Sequence, residues 1–282
     1  MTIVSSAKGH MNQRQWIPIE DSSQLMTRRM LAFPVTFTFV ISIVFLIVGF
    51  VIGFPIIAAL IGAAISGGFM WNVYRTSNDV VLKMVGGLPA SEYEHARLFN
   101  VIDGLCVVGG DARPALRVVG IEYPVALAVG MPGEAGTIVV SAGFLKTMGR
   151  VEMEAVMAHI MWRLRTGDIG LTTYMLALST AMQRFGSQKI VQSVIERVAD
   201  ERIVMWADVA ACQATRYPPA MVSALEIVEQ AAAIPLGRIG AQPLWFATPD
   251  SAGDDRNAST GVSTMGFARP PLADRIAVLK EI

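Results

Sequence analysis

The chain is short of charge. Its 23 basic and 23 acidic side chains make up 16% of 282 residues, while hydrophobic residues reach 53%; an ordinary soluble domain carries roughly 25% charged residues. Part of so apolar a chain is expected to sit in lipid. The two signs balance to a formal net charge of zero, and no Lys/Arg tract or aromatic-interleaved basic patch is present, so nucleic acid is not an expected partner. Cys106 and Cys212 are the only cysteines. Without a CxxC or dense spacing they read as small buried hydrophobes rather than a disulfide framework or a thiolate metal site. Histidine is limited to His10, His95 and His159. Dinucleotide, P-loop and nucleophile-elbow signatures are all missing, which removes those chemistries.

What is present is a long uncharged interval. No charged side chain occurs from Met30 to Tyr74, about twice the length needed to cross a roughly 30 Å hydrocarbon layer as a helix. A helical hairpin is expected, with a first span near Phe33–Gly53, a turn at Phe54 and Pro55, and a return through Ile56–Tyr74. Small residues Gly62, Ala63, Ala64, Ser66, Gly67 and Gly68 would let the helices approach closely. The polar segment before it and the excess apolar length argue against a cleavable signal peptide. Lys8, Arg14, Arg28 and Arg29 precede the hairpin and Arg75 and Lys83 follow it, which places both termini in the cytoplasm and the protein in the inner or cytoplasmic membrane. The alternative is a soluble chain with a buried hairpin. The expected division is a cytoplasmic segment 1–29, a hairpin 30–74 and a cytoplasmic body 75–282.

In the body, SEYEHARLFNVIDGLCVV has helical periodicity with Tyr93, Leu98, Val101, Ile102 and Leu105 on its apolar side, stopped by Gly109 and Gly110. ALRVVGI, PVALAVG and GTIVVSAG read as short strands of a small sheet. Helices are expected from Glu152 to Arg163, over IGLTTYMLALSTAM as a core or membrane-surface helix, and over 190–214 and 219–233, followed by a Gly, Pro, Ser and Asp-rich stretch from Gly237 to Gly266. Ser141 reads as a turn or helix-start residue. Trp245 and Phe246 read as packing over the core, with a partner patch as the alternative.

Several segments together resemble the M48 family of integral-membrane zinc metallopeptidases, HtpX-like members in particular. PVALAVG is similar to the family's P-N-A-F-A-x-G segment. IVVSAGFLKTMGRVEMEAVMAHI is similar to its approach to the active helix, VMWADVAACQATRYPPAMVSALEIV to its E-x-x-x-A-D helix, and PLWFATP and ARPPLADRIAVLKEI to its closing segments. The resemblance runs from about Val80 to Ile282. It implies an α+β, zincin-like body, mainly helical with a small sheet, behind a transmembrane hairpin.

At the metal site the sequence departs from the family. In His-Glu-x-x-His two imidazoles one helical turn apart face one metal and the Glu activates water. Here His159 holds the first ligand position, Ile160 replaces the Glu, Arg163 replaces the second His, and Val204 replaces the Glu four residues before Asp208. Ile and Val offer no lone pair, and Arg keeps its charge. These departures lead to the expectation of a pseudopeptidase: no catalytic residue, no cofactor, no metal, and not an enzyme. Asp208 would orient His159 or pair with Arg163. A noncanonical site using His159 with Asp200 or Glu201 is the minor alternative.

The expected function is then a membrane-anchored protein-binding scaffold or regulatory subunit, with a membrane-protein partner or a homo-oligomer. The alternative is an unconventional metal-dependent endopeptidase with a residual site. Val125, Ala126, Leu127, Ala128 and Gly130 form the candidate peptide-binding edge, through backbone hydrogen bonds that need no metal; the reading set ahead of it is that this strand simply completes the inherited core.

Overall fold

The computed structural model describes residues 19–183, 201–231, 241–248 and 270–282. It opens with two long helices, α1 (Ile19–Ile52) and α2 (Pro55–Val85). Gly53, at φ +97°, supplies the left-handed residue that ends α1, and Pro55 starts α2 where no N–H partner is needed. The turn therefore falls at the expected place. Both helices are long and apolar enough to cross a membrane. Phe39, Ile47, Phe50, Phe54, Ile56 and Leu60 are among many large apolar side chains they leave exposed, a contiguous surface far beyond what a soluble monomer shows.

The glycines divide differently from the sequence reading. A Cβ on Gly62 would lie 2.7 Å from the Phe45 ring, and one on Gly49 would lie 2.6 Å from Ala58 Cβ, so these two positions set the helix–helix approach. Gly67 and Gly68 face open space. Helix α2 continues past Tyr74 without a break, and Met70, Val73, Ser77, Val81 and Val85 form one buried stripe along it. That stripe packs on a helix of the body, α6 (Asp168–Gln183), where the Tyr174 hydroxyl donates to Met70 Sδ at 3.5 Å.

The remaining elements are β1 (Leu88–Pro89), α3 (Ala96–Gly109), β2 (Ala115–Val119), β3 (Ala126–Val129), β4 (Thr137–Ser141), α4 (Ala142–Thr147), α5 (Arg150–Thr166), α7 (Glu201–Thr215), α8 (Pro218–Gln230) and α9 (Leu272–Leu279), with a 3-10 turn at Gln242–Leu244. Leu98, Val101 and Ile102 face the core from α3 as their spacing demands, but Tyr93 lies in the turn before the helix and is exposed. The three expected strands form, joined by the short β1, in the order β1-β2-β4-β3. β2 and β4 are parallel, whereas β1–β2 and β3–β4 are antiparallel.

Helix α6 is buried along almost its whole length, so it is a core helix rather than a surface one. The helical segment expected over 190–214 is seen as α7; its first residues, and most of the 237–266 stretch, lie outside the described residues. Both cysteines are free and buried. The architecture is α+β and mainly helical with a small mixed sheet.

Candidate active site

Ser141 organises the entry to the site. Its hydroxyl accepts from Phe144 N–H at 2.9 Å, capping α4, accepts from Val125 N–H at 2.9 Å, and donates to the Tyr123 carbonyl at 2.5 Å. One side chain thus ties the start of α4 to the strand beside it. A hydroxyl so fully engaged is a structural group.

Helix α5 carries His159 and Arg163 one turn apart, both buried. Nδ1 of His159 lies 2.8 Å from Asp208 Oδ1 on α7, in a bent approach rather than a linear hydrogen bond. With the proton on Nδ1, Nε2 presents a lone pair, and it has no partner. Burial lowers the His159 pKa to about 4; the carboxylate opposes that shift, and Arg275 and Arg163 reinforce it. The imidazole is neutral at pH 7.

Asp208 does not pair with Arg163. Arg275, on α9, meets it with both Nε and Nη2 at 2.7 Å. Burial alone would raise the Asp208 pKa, but Arg275, with help from His159, outweighs it and holds the carboxyl down at about 2. Arg275 also donates to the Phe246 carbonyl at 3.1 Å. Sequence reasoning passed over this residue, although it stands in the ARPPLADRI segment that carries the resemblance. Cys212, one turn past Asp208, is pushed up to about 11 by burial and by the Asp208 charge, so it is a thiol at neutral pH.

Arg163 turns instead to Asp168 at the start of α6, with Nε 2.6 Å and Nη2 2.5 Å from Oδ2. Its Nη1 is buried without a partner. Ile160 and Val204 are buried apolar residues.

A zinc site of the ordinary kind takes at least three protein ligands with lone pairs. Here one imidazole nitrogen is available. The next ligand position holds a guanidinium N–H donor, and the third holds Val204. No group of three or more His, Cys, Asp or Glu able to hold a metal occurs among the described residues. The residues present do not fit the ion. The possible contribution of Asp200 or the Glu201 side chain lies outside what is described.

The candidate peptide edge, Val125 to Gly130, is buried throughout. Ser141 N–H donates to the Val125 carbonyl, so by strand alternation Ala126 and Ala128 turn their backbone groups to the outer edge. That edge carries a segment of the same chain: Leu127 makes an antiparallel bridge with Trp245, and Phe246 N–H donates to Ala126 O at 2.7 Å. Leu244, Trp245 and Phe246 are all buried, the packing role expected of them. The Phe246 ring stands edge-on to His159, with centroids 5.0 Å apart.

A small mixed sheet, a helix presenting His159 beneath its edge strand and a later helix supplying a carboxylate behind that imidazole make up a zincin-like metallopeptidase body. The chain belongs to peptidase family M48, whose profile matches residues 105–282. It is similar to the "Protease HtpX homolog" of Dictyoglomus turgidum, 26% identical over 238 residues covering 73% of this chain and 76% of that protein. The protein of the same name in Streptococcus agalactiae is 22% identical over 242 residues, covering 73% and 80%. That of Ligilactobacillus salivarius is 30% identical over 114 residues, covering 40% and 39%.

These relatives correct the expectation of a non-enzyme. Proteins matching across nearly three-quarters of the chain are named proteases, so the family assignment points to a metalloprotease. The physical reason for the correction is one of scope. Ile160, Arg163 and Val204 show that the usual ligand set is altered, and an altered ligand set is a statement about metal geometry rather than about activity.

Proposed function

We propose that this chain is a membrane-anchored endopeptidase of the M48 family that takes extended polypeptide as its substrate and works through an unconventional site centred on His159. The observation that carries this reading is the state of that imidazole. It is neutral, its Nδ1 lies 2.8 Å from the Asp208 carboxylate that Arg275 holds, and with the proton on Nδ1 its Nε2 lone pair has no partner. A neutral, oriented imidazole next to a strand that can hold a peptide backbone is positioned to accept a proton. Arg163 Nη1, one turn away, supplies an unpaired donor on the same helix. The hairpin holds the body at the bilayer, with both termini on the cytoplasmic side, and this favours membrane-protein segments as substrates.

A second reading, a protein-binding scaffold or regulatory subunit, draws support from the same edge strand and from the ion pair that fills the second ligand position. Detergent-purified full-length protein incubated with an unfolded, fluorophore-labelled polypeptide separates the two. Turnover that is lost in folded His159→Ala supports the endopeptidase. A stable complex with no turnover, with or without added zinc, supports the subunit and overturns the endopeptidase.

A further inference from the structure

The outer edge of β3 is the place where an extended chain would pair with this sheet, and residues 241–247 already lie along it. They do so in the manner of a bound peptide. The strap runs antiparallel to β3, bridges Leu127 through Trp245, donates from Phe246 N–H to Ala126 O, and presses the Phe246 ring against His159. It is also held from behind. Arg275 donates to the Phe246 carbonyl with its guanidinium carbon 5.1 Å from the centre of the ring, so the side chain that secures Asp208 secures the strap as well.

Within the strap Ala241 is a non-glycine residue at φ +63°, a conformation that L side chains adopt only at a cost and that persists where surrounding contacts impose it. A single 3-10 turn follows, with Pro243 in its first turn and Trp245 N–H donating to Gln242 O at 3.0 Å. Apart from His159 Nδ1, which faces Asp208 without a hydrogen bond, two buried polar atoms on the helix beneath lack a partner, His159 Nε2 and Arg163 Nη1. A lone-pair acceptor and an N–H donor are complementary to the N–H and C=O of a peptide group, and the strap supplies neither partner.

We propose that residues 241–247 form an intrinsic occupant of the β3 edge, so that an extended polypeptide enters only by displacing the strap. The inference rests on the reading that polypeptide is the species bound at this site. It also narrows the substrate class. An incoming strand must refill the seats of Trp245 and Phe246, which selects segments with large apolar or aromatic side chains at adjacent positions. Displacing the strap also unloads Arg275 from the Phe246 carbonyl, which couples edge occupancy to the Asp208–His159 pair.

Leu127 and Trp245 face each other across a non-hydrogen-bonded antiparallel pair, where side chains come closest, so cysteines at both positions are placed to form a disulfide. The test uses full-length Leu127→Cys/Trp245→Cys protein in detergent and a reduced, carboxymethylated, fluorophore-labelled unfolded protein as probe, with binding read by anisotropy. Oxidised protein is expected to bind at least tenfold more weakly than the same sample after reduction. Phe246→Ala, with the disulfide positions native, is expected to bind at least tenfold more tightly than wild type. Equal binding in the oxidised and reduced states overturns the strap, as does a reduced form that captures no probe. Capture that follows the redox state without cleavage leaves the strap standing and removes only the endopeptidase reading.

Discussion

Arg275 and Asp208, 67 residues apart in sequence, meet through two hydrogen bonds of 2.7 Å with both side chains almost wholly buried. A buried pair is costly to break from one side, because the survivor keeps its desolvation penalty without its partner. Arg275→Leu is therefore expected to destabilise the body by about 3–5 kcal/mol. The double variant Arg275→Leu/Asp208→Leu should recover a large part of that loss. Denaturant unfolding of the detergent-solubilised protein measures both, and additive losses in the double variant would contradict the pairing.

The lowered His159 pKa has a consequence for acid stability. Folding depresses this pKa from its ordinary 6.5 to about 4, so between those values the unfolded chain binds more protons than the folded one. Stability then rises with pH across this window and is lost as pH falls from about 6.5 towards 4. The contribution is on the order of 3 kcal/mol at the acid end. Asp208 adds a further loss only below its ordinary range, as pH approaches about 2. Stability curves from pH 4 to 7 should flatten in His159→Gln, and an unchanged slope would show that His159 is not the group that titrates.

The Arg163–Asp168 pair predicts an asymmetry. Arg163 is the more deeply buried partner, so Asp168→Ala strands a guanidinium that already has one unsatisfied nitrogen. Its expected cost is about 3–5 kcal/mol. Arg163→Met removes the charge and keeps most of the apolar stem, and it should cost less. Thermal unfolding that ranks the two in the opposite order would count against this account of the site.

Metal content tests the ligand geometry directly. Ile160→Glu alone adds a carboxylate without replacing Arg163 or Val204 and is not expected to confer stoichiometric zinc. In the combination Ile160→Glu, Arg163→His and Val204→Glu, the substitutions at Arg163 and Val204 join His159 to give three lone-pair ligands from α5 and α7 while that at Ile160 restores the base, and the protein should bind about one zinc per chain. Elemental analysis of purified protein decides it, with zinc bound by the single variant as the contrary result.

Topology follows from the flanking charges. Tags at the two termini should be reached by protease from the same side, and a tag between Gly53 and Pro55 from the other. Termini on opposite sides would break the two-span arrangement.

Local patterns in the sequence were sufficient for most of the elements. The uncharged run from Met30 to Tyr74, interrupted by Gly53 and Pro55, specifies two apolar helices with a turn between them, because length, hydropathy and a helix stop act within a few residues. The strands around Leu116, Leu127 and Val139 were legible for the same reason, as was the placing of His159 and Arg163 on one face of one helix. The end of α2 was not. Loss of an uncharged composition at Arg75 does not break a helix, and the buried stripe continues to Val85 because α6 is there to receive it.

The partners of the charged groups were decided only by the tertiary structure. The sequence offered Arg163 as the cation for Asp208, and its replacement by Arg275 depends on where α9 lands after a long intervening segment. Strand alternation separates Ala126 and Ala128 from Val125 and Leu127, but it does not say which set turns its backbone to the open edge or what stands opposite. That Trp245 and Phe246 fill the edge, and that Gly49 rather than Gly67 sets the approach of the hairpin helices, are consequences of packing between distant segments. A sequence specifies which residues can form an edge, a pair or a close approach; which of the competing partners arrives is settled by the fold, because burial makes an unpaired charge or an open strand edge more costly than the longer loop needed to satisfy it.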